Sequence, residues 1–571
     1  MARRATSRHA PKNHIIMNRP INIYCKNTEQ YISVDGGASL LEVAATIEAR
    51  LGFKPLCALV NNKIEDLGYN IYGPKMVQFI GHKHPMGQRA LTRSLCMVLY
   101  KAINDLYPGK RLRIQHPISN GFYCVIKHEK DDVPVEMVAA IKARMLEIVA
   151  ADMPFIHHKQ LTAEVMEMFG RQGLNDKVRL LSTSQKIYTN YYKLDDIADS
   201  FYGPMVPSTG CLTAFDLQPY EGGMLLLPPT PEMKPATMVP QPKMLKAFAD
   251  HIRFNDITTI DDVGILNQAI KSGEAKLLIN VAEALHNQMF AGFAHDIATR
   301  YKAGGARVVL IAGPSSSGKT TSSKRLAIQL ITKYIVPKVI ELDNYFVNRD
   351  MTPLDEAGEY DYESLYALDL EQFNKDLTLL LAGKEVALPT YNFETGKREY
   401  RGSTLKLEPN NILLIEGIHG LNPELTKLIP EEQKFRLYVS ALTTLNIDDH
   451  NWIPNSDNRL LRRIVRDNKY RGCDALSTIA RWASVRRGEE KWIYPYQENA
   501  DATFNSSLIF ELAVMKRYAE PVLRQVPVNA PEYAEAHRLL KFLSYFEPLD
   551  EKDIPSTSLL REFLGGSSFV Y

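Results

Sequence analysis

Gly313-Pro-Ser-Ser-Ser-Gly-Lys-Thr320 has the spacing G-x-x-x-x-G-K-[ST] of a phosphate-binding loop. Arg307-Val-Val-Leu-Ile-Ala312 precedes it, a β-branched apolar run of strand length. Thr321–Ile331 follows, with Leu326, Leu330 and Ile331 at helical spacing. Strand, glycine-rich turn and helix together aim backbone N–H groups and a helix N-terminus at a polyphosphate. Gly313 and Gly318 permit close backbone approach that a Cβ would hinder. The expected nucleotide-binding residues are Gly313, Pro314, Ser315, Ser316, Ser317, Gly318, Lys319, Thr320 and Thr321. Lys319 would reach the β/γ-phosphates and the Thr320 hydroxyl would sit on Mg²⁺. The spacing alone leaves ATP and GTP both open.

Outward from the loop, strand-like and helix-like segments alternate, which predicts a parallel α/β sheet. Lys338-Val-Ile-Glu-Leu342 reads as the second strand and runs straight into Asp343-Asn-Tyr-Phe346. A carboxylate at that strand end lies on the ligand side of the sheet. Asp343 could accept a proton from an attacking hydroxyl or order Mg²⁺ through water. A turn or helix-cap aspartate is the plainer alternative. Asn411-Ile-Leu-Leu-Ile-Glu416-Gly417 is an apolar strand ending in an acid. Such an acid is costly to bury without a cation, so Glu416 is expected at the metal. Asp457-Asn-Arg459-Leu-Leu-Arg462-Arg463-Ile-Val-Arg466-Asp467 reads as a helix with one apolar stripe and arginines elsewhere. A solvated basic face would explain it; so would a mobile lid of guanidinium groups closing over phosphate.

The loop, Asp343-x-Tyr-Phe346, Pro389-Thr-Tyr-Asn-Phe393, Ile415-Glu-Gly417 and the arginine run resemble the uridine kinase/phosphoribulokinase family, in family order. The resemblance implies transfer of the ATP γ-phosphate to the 5′-hydroxyl of a pyrimidine nucleoside, with ATP and Mg²⁺ as cofactors and a place in pyrimidine salvage. Lys319, Asp343, Glu416, Arg462 and Arg466 would be catalytic, Asp343 as the base. Arg463 would join Arg462 and Arg466 in the lid and contact the nucleotide. Tyr345, Asp361, Tyr391 and Phe393 would bind the acceptor. Short uridine kinases carry a base-contacting His after the equivalent of Phe393; here the run is Glu394-Thr-Gly-Lys-Arg398. The stretch Asp355-Glu356-Ala-Gly-Glu-Tyr-Asp361-Tyr-Glu363 is also unlike them, and its carboxylates suit ribose hydroxyls.

The N-terminal half reads differently. Ile21–Cys25, Tyr31–Val34, Leu56–Val60 and Met76–Ile80 are strand-like, and Ser39–Ala49 is a helix opened by a Ser39/Glu42 capping box. With Ala58 and Asn61-Asn-Lys63, residues 20–80 resemble the TGS domain, a ubiquitin-like β-grasp module of threonyl-tRNA synthetases and some GTPases. Residues 81–228 open with Gly81-His-Lys-His84 and a helix over 87–106. They resemble the second, editing domain of threonyl- and alanyl-tRNA synthetases, an α+β unit. That domain uses H-x-x-x-H and C-x-x-x-H; here Gln88 follows His84 and no C-x-x-x-H follows, so the editing chemistry is expected to be lost. His157-His158 is expected as an ordinary loop pair. The chain as a whole resembles the long bacterial nucleoside kinases that carry such synthetase-like N-terminal domains.

The expected fold is multidomain α/β: a basic tail over 1–19, the β-grasp module over 20–80, and the synthetase-like block over 81–228. A proline-rich linker and helical connector would span 229–305, a parallel-sheet kinase 306–550 and a tail 551–571. The 571 residues carry a net charge of +2, so no global field argues for nucleic acid or membrane. RNA binding by the N-terminal blocks therefore has no support in charge. No apolar run approaches membrane-spanning length. Six scattered cysteines without a C-x-x-C pair suit reduced thiols in a cytoplasmic protein. A homo-oligomer is compatible with the sequence. A GTPase switch would need N-K-x-D, and the chain offers Asn62-Lys-Ile-Glu65, far from the loop. A phosphoribulokinase-like sugar phosphate acceptor would need bases where Asp355, Glu356, Asp361 and Glu363 stand. The remaining alternative is a nucleotide-dependent RNA-binding or regulatory protein.

Overall fold

The structure, a computed structural model, describes residues 20–127, 131–355 and 358–571; the expected basic tail and Glu356 lie outside them. The first unit is a five-stranded mixed sheet in the order Gln30–Asp35, Pro20–Cys25, Met76–Ile80, Cys57–Val60, Lys63–Glu65. Helix Leu40–Leu51 packs Val43 and Ile47 against Ile23, Val60 and Phe79. The capping box forms: the Glu42 N–H donates to Ser39 Oγ (3.2 Å) and the Ser39 N–H to the Glu42 carboxylate (2.7 Å). Asn61 and Asn62 carry the left-handed turn that pairs Val60 with Lys63, a conformation asparagine tolerates.

Helix Pro85–Leu106 then runs through a second core, its Leu91, Leu95, Val98 and Ile103 buried against Ile114, Cys124 and Met145. The sheet there is antiparallel, in the order Asp216–Tyr220, Gly223–Leu227, Gly121–Lys127, Arg111–Ile118. His84 caps the helix, its Nδ1 accepting the Met86 N–H (3.2 Å). His157 and His158 are not a loop pair; they lie on strand Ile156–Leu161, stacked on Tyr192 and Tyr191, and His157 Nδ1 is 3.2 Å from Asp66. Pairing with Tyr188–Leu194 imposes the strand on a segment whose own residues have weak β preference.

The C-terminal half holds a five-stranded sheet, all parallel, in the order Val336–Glu341, Asn411–Glu416, Val308–Ala312, Lys434–Ser440, Ala502–Asn505. Val308–Ala312 is buried throughout because both sheet faces are covered, which explains its unbroken apolar run. Val309 and Ile311 face one cluster with Leu326, Leu330 and Leu461; Val308 and Leu310 face another with Phe373 and Leu377. The expected connector is three helices, Pro242–Thr258, Val263–Ser272 and Ala275–Lys302. The last lies along the loop helix Lys319–Ile331 and pairs Glu283 with Arg325 (3.3 Å). The expected tail is a correction. Leu559, Leu560, Phe563 and Leu564 are buried in the sheet's main cluster, packed there by a short turn of helix over Arg561–Leu564. Four apolar residues in a short irregular segment leave no periodic signal to read.

Candidate active site

The loop joins the buried central strand to helix Lys319–Ile331, and two features hold its shape. A Cβ on Gly313 would lie 1.9 Å from the Val439 carbonyl oxygen, so the neighbouring strand forbids any side chain there. Gly318 has φ +86°, the left-handed region that glycine enters without strain. Ser316 and Ser317 are buried behind the loop. Lys319 folds back and donates to the Pro314 carbonyl (3.3 Å).

Four carboxylates gather around that loop. The Thr320 hydroxyl donates to Glu416 Oε1 (2.9 Å). Burial raises the Glu416 carboxyl to about 7, against the opposing pull of Lys319 and the Thr320 bond. Asp343 stands just beyond the Val336–Glu341 strand; the surrounding protein raises its carboxyl, with Lys319 and Arg471 pulling the other way. Glu363 is raised to about 7 by burial and by Glu489, with Arg463 and Lys319 opposing. The positive charge of Lys319 thus opposes the rise at Glu416, Asp343 and Glu363 alike. The sequence places Glu363 in the acidic stretch suited to ribose hydroxyls; its approach to the phosphate loop comes from the tertiary fold and leaves no local signal.

The fourth carboxylate, Glu489, lies on helix Ala475–Trp492 and accepts the Ser315 backbone N–H (3.1 Å). Arg459 binds it with both guanidinium nitrogens and also donates to the Ser315 carbonyl (3.1 Å). Arg463 donates to the Ser315 hydroxyl (2.8 Å). Arg466 turns to its neighbour Asp467 (2.9 Å). Arg462 is wholly buried, paired with Glu511, donating to the Ser506 carbonyl (2.9 Å) and stacked on Phe563. The expected mobile lid is therefore corrected in this structure. Helix Asn455–Arg471 is a packed element with Leu460, Leu461, Ile464 and Val465 in the core. The arginines at 459 and 462 brace the loop from beneath instead of closing over it. Their partners stand about 30 and 49 residues downstream, out of reach of local spacing.

On the other side of Asp343, Phe346, Tyr391 and Phe393 form an edge-to-face corner with ring centroids 5.1 to 6.5 Å apart. Phe393 is 61% exposed, an open aromatic face beside the cleft. The Tyr391 N–H is held by Asn344 Oδ1 (3.2 Å). Tyr345 is not available as expected: its ring packs on Phe373 and its hydroxyl donates to Asp376 (3.1 Å). Asp361 accepts the Glu363 N–H (3.2 Å) and so shapes the turn carrying Glu363. A cavity of about 300 Å³ opens between the loop helix and the Val336–Glu341 strand, lined by Thr320, Lys324, Glu341, Asn344, Pro389 and Glu416.

The donor set fits Mg²⁺: a hydroxyl and a half-buried carboxylate oxygen meet at the start of the loop helix. The model of the family described as phosphoribulokinase / uridine kinase matches residues 308–509, which include the loop, Asp343, Glu363, Glu416, Glu489 and the arginine helix but not Glu511 or Phe563. A uridine kinase of Macrococcus caseolyticus is 31% identical over 196 residues, covering 85% of that protein and 34% of this chain. The chain belongs to the phosphoribulokinase/uridine kinase family. The N-terminal region is similar to threonine–tRNA ligases instead. That of Parabacteroides distasonis is 30% identical over 178 residues, 31% of this chain and 27% of the ligase. The chain thus spans under a third of the length of the ligases it matches. A solved structure of a possible uridine kinase from Bacillus stearothermophilus overlays 35% of this chain and 89% of its own, at 22% identity and a TM-score of 0.24. No described helix is long and apolar enough to cross a membrane.

Proposed function

We propose that this family member transfers the γ-phosphoryl group of ATP to the 5′-hydroxyl of a pyrimidine nucleoside. The observation that carries the reading is the Thr320 hydroxyl held on Glu416 (2.9 Å) at the start of the loop helix, next to the ends of the parallel strands, with an exposed aromatic corner on the acceptor side. One side of that arrangement suits polyphosphate and the other a flat, uncharged acceptor.

The loop N–H groups and Lys319 hold the triphosphate and meet the charge that builds as the phosphoryl moves. Thr320 and Glu416 would hold Mg²⁺, which when bound supplies neutralising charge to the β- and γ-phosphates. Asp343 takes the proton of the acceptor hydroxyl. The acceptor's 5′-oxygen then forms the new bond to the γ-phosphorus while the bond to the β-phosphate bridging oxygen breaks and ADP leaves. The surrounding protein raises the Asp343 carboxyl, against the pull of Lys319 and Arg471. Tyr391 and Phe393 stack on the nucleobase. Glu363, with Asp361 behind it, accepts from the ribose hydroxyls. The similarity to a uridine kinase favours a nucleoside over a sugar phosphate.

The test is ADP release with ATP·Mg²⁺ and single nucleosides. Uridine or cytidine is expected to stimulate release well above the rate without acceptor. Stimulation by a sugar phosphate and by no nucleoside would reassign the acceptor.

A further inference from the structure

The loop helix begins at Lys319, so Lys319, Thr320 and Thr321 carry first-turn N–H groups with no partner within the helix. These are the donors an incoming phosphate would take. One of them is already engaged. The Thr321 N–H donates to Glu562 Oε2 (3.3 Å), and the Thr321 hydroxyl donates to the same oxygen (2.6 Å). The Tyr571 hydroxyl lies 2.9 Å from Thr321 Oγ1, and Thr321 is fully buried beneath them. Next to it, the Leu559 side chain covers Gly318: a Cβ there would meet Leu559 at 2.7 Å. Lys324, on the loop helix, places its ammonium over the Tyr571 ring, 5.9 Å from its centre. All these contacts come from residues 559–571, beyond the residues 308–509 that the family model matches.

We propose that Glu562 and Tyr571 occupy the donor-phosphate end of the loop in the nucleotide-free protein, the Glu562 carboxylate standing in for a phosphate, and that nucleotide must displace them. The inference rests on the donor-site reading given above. Two negative groups cannot share the Thr321 N–H, so binding and occupancy exclude each other. The means of release is local. Leu559, Leu560 and Phe563 anchor the segment in the core, while Gly565 and Gly566, both at positive φ, join that anchor to the arm that ends in Tyr571. Glu562 is only half-buried, so its side chain can swing out without emptying a cavity.

The experiment compares ATP·Mg²⁺ binding to the full chain, Glu562→Ala and Tyr571→Phe, with hydrogen exchange read at Thr321 and at 567–571. Losing a charge-assisted bond that competes with ligand is expected to tighten ATP binding about ten-fold in Glu562→Ala. Tyr571→Phe changes no charge and should tighten it about three-fold, which separates occlusion from simple electrostatic repulsion. Exchange at 567–571 should rise when ATP is added to the wild type. Unchanged or weaker binding in both variants, or an arm whose exchange does not respond to bound ATP, would overturn the proposal. If neither wild type nor variant binds ATP, the donor-site reading falls first and this inference with it.

Discussion

Single residues decide whether the cleft does chemistry. Lys319→Ala removes the cation of the phosphate loop and should lower turnover by about 10² to 10³. Asp343→Asn should slow transfer by about 10² to 10⁴ while leaving ATP affinity intact. If the affinity collapses with it, Asp343 belongs to the metal or to the fold. Glu416 gives a pH signature. Its folded carboxyl titrates near 7, above the ordinary 4.5. Protonation therefore favours the folded state, and that stabilisation, present at low pH, is lost as pH rises through about 7. Without Mg²⁺, Glu416→Gln should match the wild type in Tm at pH 5 and exceed it at pH 8. Adding Mg²⁺ at pH 8 should raise the wild type and not the variant. Most of these residues were legible in the sequence, because Lys319 and Thr320 close the loop motif and Asp343 and Glu416 stand at strand ends. Glu489 was not, and Glu363 was legible only as one of the acceptor-side carboxylates: each reaches the loop through a tertiary path, on a turn or a distant helix.

At the scale of elements, the strand, loop and helix of 308–331 and the parallel sheet follow from apolar runs that local pattern makes plain. The arginine helix shows what local pattern leaves open. Its spacing suits a lid, yet Arg459 and Arg462 are buried by partners on two later helices. Breaking such a pair strands a buried carboxylate and costs about 3–5 kcal/mol. Arg462→Ala should therefore lower the unfolding free energy by about that much in urea titration. A variant of unchanged stability but much reduced turnover would restore the lid. The N-terminal capping box was also legible, since both partners lie within four residues; the packed segment after 550 was not, since its apolar residues show no period.

Over the whole molecule, the N-terminal blocks and the sheet-bearing half share buried charge. The hairpin strands Asn446–Asp448 and Asn451–Trp452 enter the second block, where Lys177 lies between Asp199 (2.7 Å) and Asp448 (2.8 Å) and His450 meets Asp199 (2.6 Å). Asp449 accepts from Arg111 (2.7 Å) and Lys127 (3.1 Å). Ile118, Leu225 and Leu227 pack in one cluster with Tyr438 and Leu442. The chain from residue 243 onward, made alone, would expose that cluster and leave Asp448 and Asp449 without their cations. It should be less soluble and melt well below the full chain; an unchanged Tm would mean the blocks fold independently. Block identity was legible from the sequence, but their mutual packing was not, because it depends on contacts 250 to 340 residues apart. The measurement that tests the central claim most directly is ATP·Mg²⁺ turnover by the full chain across uridine, cytidine and the purine nucleosides, read as ADP release and as nucleoside monophosphate formed. Transfer to a pyrimidine 5′-hydroxyl predicts one monophosphate per ADP with uridine or cytidine; ADP release that no nucleoside raises above the acceptor-free rate would contradict it.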